Sequence, residues 1–502
     1  MAAVYSDYTR DRVGLFFGVT GLQLGLVVAG SLPVIWAMNR ERWSLLFMLA
    51  VSWAVWTALV VIPIRGRSAT GWLLATLAFA AGTVLGWTSW RSRASRGRAG
   101  KIDEPDLPGV LTGVRVHDGP PQGVTNTRVA LIQDHAARTW AVTAALVHPG
   151  LALADHVERD ALGKGLTELL NACARTELIS EVAFMVRSVP DDGAERERWM
   201  ASHTRPDAPL LSRIVNTELA ASLSSASIRT EAFVTLVVPE SRLAKEAKEF
   251  GGNVDGRARA MHMLMSEVSG HLLTGMRAVS VDWLTSPELA AAVRTGFAPA
   301  DRAGIVEALA ARETDSGVNA DVPWSQAGSA GAQLAARHYR HDAWWSIAST
   351  LQLPAKGAQM GALAPVLRPT EPGERRSMVV VYPIVPASRA DRQTMSGEWK
   401  ADIAENLRIQ AKIKPRAKER VDAAQTRSLD AKLATGHALL RPYAVACVTV
   451  PLTADIAEHG RRLDGSIRRS GFAPLRLDPV HDAGFAVANL PLGVGLDHRG
   501  RS

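Results

Sequence analysis

The pattern of polar and apolar positions changes character near residue 90. Before it, charges are rare. Val13–Met38 holds 26 residues without a charge, and Trp43–Ile64 holds 22. A helix needs about 20 apolar residues to cross hydrocarbon, so both runs predict membrane spans, joined by the tight turn Asn39–Arg42. A third uncharged run, Thr70–Trp90, is rich in Thr, Ser, Gly and Trp and reads as interfacial or spanning. Seven of the fourteen Trp lie in these first 90 residues. Trp36 and Trp43 would mark one interface, Trp87 and Trp90 the other.

Beyond residue 90 the period alternates between two and 3.6. Residues 91–126, rich in Arg, Gly and Pro, read as a basic tether and linker. The runs 127–134 and 138–147 read as strands across a turn closed by Asp134, with His135 and Arg138 beside it. A helix over 156–176 carries Leu162, Leu166, Leu169, Leu170 and Cys173 on one face. Strands are expected at 180–189, 231–239 and 276–284, and helices within 192–226 and over 255–274. Ser286-Pro287-Glu288 then opens a short helix, with Ser286 as N-cap. Without the helical insertion the order is β-α-β-β-α-β, the ferredoxin-like or split βαβ arrangement.

The second half repeats this order. Strands are expected at 342–353, 377–385, 443–451 and 472–478, with helices over 358–367 and 453–469. TGMRAVSVD (274–282) aligns with SGFAPLRLD (470–478), and each has a Gly, Gly275 or Gly471, where a helix C′ position favours one. TLVVPESRLAKE (235–246) aligns with VTVPLTADIAEH (448–459), each strand stopping at a Pro. The fold class expected is therefore α+β: an N-terminal transmembrane helical hairpin plus two ferredoxin-like units with helical insertions. The domains expected are a membrane domain over 1–90, the linker 91–126, a first ferredoxin-like domain over 127–298, a linker with short helices over 299–341, and a second ferredoxin-like domain over 342–502. A charged helical insertion is expected in the last at about 387–440.

Charge refines the picture. The net charge is +8. Arg65, Arg67, Arg91, Arg93, Arg96, Arg98 and Lys101 all precede the next acid, Asp103. The positive-inside rule puts that cluster in the cytosol. Two spans place the N-terminus and the large body together there, which favours an interfacial third segment. The expected location is the plasma membrane, multi-pass, with anionic lipid headgroups as partners of the cluster. A second basic run, IQAKIKPRAKER (409–420), carries Lys412, Lys414, Arg416, Lys418 and Arg420 against Glu419 alone. A solvated helical hairpin explains it; an acidic partner or nucleic acid is the sharper alternative, weakened by the lack of interleaved aromatics. The two cysteines, Cys173 and Cys447, have neither metal nor disulfide spacing.

Chemistry is sparse. No Gly-rich loop ends in Gly-Lys-Ser/Thr, no HExxH and no CxxC pair occurs, and no Gly-x-Ser-x-Gly elbow appears. His338 and His341 stand three apart in HYRHD, but two imidazoles without a third ligand do not specify a metal. The expectation is no catalytic residue, no metal and no cofactor.

Within the first run, GVTGLQLGLVVAG (18–30) places Gly18, Thr20 and Gln23 in an apolar context. This resembles the entrance to the first membrane helix of PrgI-like proteins of Gram-positive conjugation systems. Thr20 and Gln23 would hydrogen-bond at the headgroup level or to a neighbouring helix. The duplicated body, closing on GFAVANLPLGVG (484–495), resembles the region before the motor in conjugation-type secretion ATPases. The whole chain, through WTSWRSRA, DLPGVLTGV, QDHAARTW, VPDDGAERERW and RTGFAP, resembles an actinobacterial integral-membrane family that works with a separate secretion ATPase. The resemblance implies a membrane-anchored, non-catalytic docking component of a type IV, conjugation-like apparatus, assembled with that ATPase and other channel subunits as part of an oligomeric complex. An EccE-like component of type VII secretion is the alternative machine. A membrane-bound enzyme with an unrecognised site is the alternative class.

Overall fold

A computed structural model of the chain describes residues 21–40, 42–61, 63–64, 67–98, 100–123, 126–151, 154–191, 193–205, 207–226, 228–354, 357–385 and 437–496. It divides into two compact units, Tyr8–Thr88 and a body from Ser89 onward.

The smaller unit is built from helices α1 (Gly21–Asn39) and α2 (Trp43–Val61), a two-stranded ladder β1 (Pro63–Ile64) and β2 (Arg67–Ser68), and helix α3 (Ala69–Val84). Trp53 Nε1 donates to the Val27 carbonyl at 3.0 Å, and Gly30 lets the Trp56 ring approach α1 closely. A Cβ at Gly30 would stand 3.0 Å from Trp56 Cδ1. The expected spans are corrected here. The two longer helices have 19 residues each, about 28 Å at 1.5 Å per residue, against a hydrocarbon core of about 30 Å. Among the described residues no helix is long and apolar enough to cross a membrane. The transmembrane hairpin and the multi-pass membrane location therefore fall.

The body contains, in chain order, β3 (Ser89–Arg91), β4 (Val114–Asp118), β5 (Ala130–Asp134), β6 (Thr139–Val147), α4 (His156–Arg175), β7 (Glu181–Pro190), α5 (Ala194–His203), α6 (Leu210–Ala226), β8 (Ile228–Pro239), α7 (Glu240–Ala247), α8 (Val254–Thr274), β9 (Ser280–Trp283), α9 (Ser286–Phe297), α10 (Arg302–Thr314) and α11 (Trp324–Ala327). It continues through β10 (Gly331–Leu334), β11 (Tyr339–His341), β12 (Trp344–Gln352), β13 (Arg375–Val385), β14 (Leu439–Leu440), β15 (Tyr443–Pro451), α12 (Ile456–Arg469), β16 (Ala473–Arg476) and α13 (His481–Asn489).

All strands from β3 to β16 belong to one 14-stranded antiparallel sheet. This replaces the expected pair of separate ferredoxin-like units: the architecture is mixed α+β on a single continuous sheet. The physical reason lies at its middle. Strands β7 and β13 pair from Ser188 opposite Arg376 to Glu181 opposite Pro383. Either strand alone would leave a bare row of main-chain donors and acceptors. From that seam the order runs outward as β7, β8, β6 on one side and β13, β15, β12 on the other, with β9 then on β6 and β16 on β12. The chain thus repeats one pairing order about the seam.

Side chains alternate along the seam as period two demands. Met185, Val379, Val381, Val445 and Cys447 face one apolar layer with α9, α11 and α13, shared by both halves. Val182, Leu236 and Val238 face α4 and α8 on the other side. Ala446, Val448 and Val450, which alternate with Val445 and Cys447 along β15, pack on α12. After α13 the chain crosses the shared face. Gly493 has φ +69°, and a Cβ there would stand 2.8 Å from that of Ala141, so only glycine fits this close crossing.

Three local readings shift. The cap of α9 is Thr285, one residue earlier than expected, in a capping box with Glu288. The helix expected over 358–367 is a set of turns ending in a 3₁₀ segment, Ala364–Leu367. The expected linker around 299–341 contributes strands β10 and β11 to the sheet.

Candidate interaction surface

Two polar constructions stand out in the body. One is buried at the seam and the other is exposed on a helical arm.

The buried one begins with the last turn of α9, whose carbonyls have no partner within the helix. Arg375 donates through Nη1 to Thr295 O at 2.8 Å and through Nη2 to Gly296 O at 2.6 Å. His341 Nδ1 donates to Phe297 O at 2.8 Å, leaving Nε2 to accept from Ser346 Oγ at 2.8 Å. Arg187 Nη1 donates to Ala292 O and also to Asn489 O, the last carbonyl of α13. Its Nη2 lies 2.7 Å from Glu231 Oε2. Cations at two helix C-termini meet the negative ends of both dipoles. Burial, and then the charge of Arg187, push Arg375 down to about 9. Burial holds His341 well below the usual imidazole range, and the Arg375 charge adds to it. All three side chains are nearly inaccessible, so the joint fastens two helices to the sheet and offers nothing to a solute.

Across the sheet, Arg376 and Glu374 pair in full burial, Nε to Oε1 at 2.5 Å. Thr370 donates to Glu374 through both N and Oγ1. His459 lies 3.6 Å from Glu374 and 3.5 Å from Glu371. This network ties α12 to the sheet.

The exposed construction is the arm α5–α6, inserted between β7 and β8. Ion pairs hold α5 to the body. Glu195 Oε1 meets Arg302 Nη2 at 2.6 Å and Arg229 Nη1 at 2.9 Å, and Arg198 pairs with Glu313 of α10. Helix α6 is linked to α5 by Arg196 Nη2, which donates to Asn216 O at 3.4 Å. It carries Leu210, Leu211, Ile214, Val215 and Leu219, each between 45 and 72 % exposed. Sequence reading placed helix here but missed this row; the i, i+4 spacing of Leu211, Val215 and Leu219 was the available signal.

The expected site residues scatter. Gly18, Thr20, Arg65, Lys412, Lys414, Arg416, Lys418 and Arg420 lie outside the described residues, and so does nearly all of the charged insertion. Gln23 is in α1, and Arg67 is in β2. Arg91 ends β3, an edge strand on β10, and Trp90 beside it packs against the core and marks no lipid interface. Arg93 lies 3.5 Å from both Glu104 and Asp106, with its side chain partly exposed. Arg96, Arg98 and Lys101 are exposed. Arg93, Arg98 and Lys101 line a surface cavity of about 190 Å³ with Glu104, Asp106 and Ser325. His338 stacks edge-on against Trp345 while His341 is buried at the joint, and among the described residues no group of side chains could hold a metal ion.

No family model matches the chain, and no curated protein matches it.

Proposed function

We propose that the chain is a non-catalytic docking component of a multi-protein assembly, contacting protein through the α5–α6 arm. The observation that carries this reading is the apolar row Leu210, Leu211, Ile214, Val215 and Leu219 held open on α6. Leaving such side chains in water forgoes about 1.5–3 kcal/mol each relative to full burial. A group of them on one exposed helix, next to a helix that ion pairs hold to the body, is the signature of a contact surface. The rigid sheet supports the reading, because it fixes where the arm projects.

The partner class comes from the resemblance: a separate secretion-type ATPase and its channel subunits, first in a type IV, conjugation-like apparatus and second in a type VII one. The test is affinity purification of the tagged full-length chain from its native cells, beside the double variant Leu211→Glu, Val215→Glu. Mass spectrometry should find an ATPase and its associated subunits with the native chain and lose them with the variant. Identical recoveries from both would sink the reading. The identity of the subunits recovered separates the two machines.

A further inference from the structure

We infer that the surface cavity formed by the loop after β3 and by Ser325 of α11 is a binding site for a terminal phosphate group. Such a group arrives on a small soluble molecule or on a lipid headgroup, and the chemistry that holds it is the same. No residue of this site belongs to the α5–α6 arm, so the inference goes beyond the docking reading and does not depend on it.

The loop is held in one shape by its own main chain. Arg96 N and Arg98 N donate to Arg93 O at 3.1 and 3.0 Å, and Gly97 N donates to Ala94 O at 3.0 Å. Gly97 takes φ +66° where the chain turns back, a conformation that favours glycine. Arg93 is fixed from the far side. Its N donates to Asp106 Oδ2 at 2.5 Å, its Nε lies 3.5 Å from Asp106 Oδ1, and its Nη1 lies 3.5 Å from Glu104 Oε2. Lys101, and then Arg93, hold the Glu104 carboxyl below its ordinary range, so it stays ionised and engaged with them. Ser325 N donates to Ile102 O at 3.0 Å, which ties α11 to the same loop.

What the cavity leaves unused is cationic. Three cations, Arg93, Arg98 and Lys101, line it against two carboxylates that are already engaged. Among the described residues Arg98 has no ion pair and Arg93 Nη2 has no partner, while Lys101 reaches only Glu104, at 3.5 Å. The surrounding field is positive as well, because Ser89–Gly100 holds four arginines and no acid. The volume, about 190 Å³, is far above the roughly 10–15 Å³ that a single water needs. Ala94 is the one apolar side chain of the lining and no aromatic ring takes part, so nothing there would stack on a base or cover a hydrocarbon tail. The donors suit a phosphate. A guanidinium takes two of its oxygens side by side, and an ammonium acts as a point charge on a third.

The test is isothermal titration calorimetry of the full-length chain with inorganic phosphate. The native chain should bind it saturably. Arg98→Ala and Lys101→Ala, both at exposed positions, should each weaken binding about tenfold, the worth of one charge-assisted hydrogen bond. The double variant should abolish binding. Arg96→Ala removes the same charge from the same loop at an exposed position outside the lining, and should change binding by less than about twofold. A native chain that binds no phosphate overturns the proposal. So does equal weakening by all three single variants, which would reduce the effect to general surface charge. Flotation with phosphatidylcholine vesicles, with and without phosphatidic acid, separates the two sources. Extra flotation with phosphatidic acid, competed away by inorganic phosphate and lost in Arg98→Ala, supports the site with a lipid headgroup as the carrier. Saturable phosphate binding without that extra flotation supports it with a soluble carrier.

Discussion

The seam and the arm put charge and apolar surface to opposite uses. At the seam, arginines are buried and their hydrogen bonds go to main chain: Arg375 to the end of α9, Arg187 to α9 and α13 together. On the arm, Arg198 and Glu195 hold α5 to Glu313 and Arg302 of α10, and the apolar side chains of α6 are the exposed ones. A buried cation that bonds to helix carbonyls is fixed by its surroundings and is closed off from solvent. An apolar row in water has unused capacity, and another surface can cover it. The difference separates a structural device from a functional one without any appeal to residue type, since arginine serves in both places.

Substitutions should separate the two regions sharply. Arg375→Met leaves the buried carbonyls of Thr295 and Gly296 without a donor. At about 1–3 kcal/mol for each unsatisfied group, the expected loss is roughly 2–6 kcal/mol, measured by chemical denaturation. A loss under ~0.5 kcal/mol would mean that the helix end finds other donors and that the seam is less closed than it looks.

The pH dependence sharpens the same point. Burial keeps His341 neutral in the folded chain, well below its ordinary value of 6.5. The unfolded chain takes up a proton on this residue near pH 6.5, while the folded chain does not. Stability linked to His341 is therefore fully present above pH 6.5 and falls as the pH drops below it, by up to ~1.4 kcal/mol per pH unit. Denaturation curves between pH 7 and 5 should show that slope, and His341→Asn should flatten it. An unchanged slope in the variant would assign the acid sensitivity elsewhere.

The sequence was legible where period and punctuation agree. The strands β7, β8, β13 and β15 follow alternation and stop near Pro or polar turns, and α4 and α8 carry clear apolar faces. The turn after β5 closes as read, with Asp134 Oδ1 accepting from the amides of Ala136 and Ala137 at 2.9 and 3.1 Å. Short strands such as β10 and β11 carry too few positions to show a period, and their partners are distant in sequence. The joining of two halves into one sheet depends on edge pairing, which leaves no local mark. The apolar runs before residue 90 predict membrane spans, but among the described residues no helix is long and apolar enough to be one; a run of uncharged residues sets only an upper bound on helix length. As for the site, Arg187 and Arg375 looked like ordinary charges in strands; nothing in the sequence says that a charge will face the end of a distant helix. The α6 row was legible in principle, but an apolar face predicts burial, and only the fold shows that these side chains are exposed among the described residues.

The smallest expected effect completes the comparison. Leu211→Ser and Val215→Ser each remove an apolar side chain of a size whose loss from a core costs several kcal/mol. On α6 these side chains are already more than half exposed. Little transfer energy is recovered from them in the single chain, and no cavity opens when they are cut back. Substitutions at exposed positions away from caps and networks usually stay within about 0.5 kcal/mol. Each variant should therefore unfold within that margin of the native chain in dilute solution, where association is absent. Denaturation midpoints of both variants, measured beside the native chain, check the statement. A variant destabilised by several kcal/mol would mean that α6 packs against its own body, and the contrast between seam and arm would collapse.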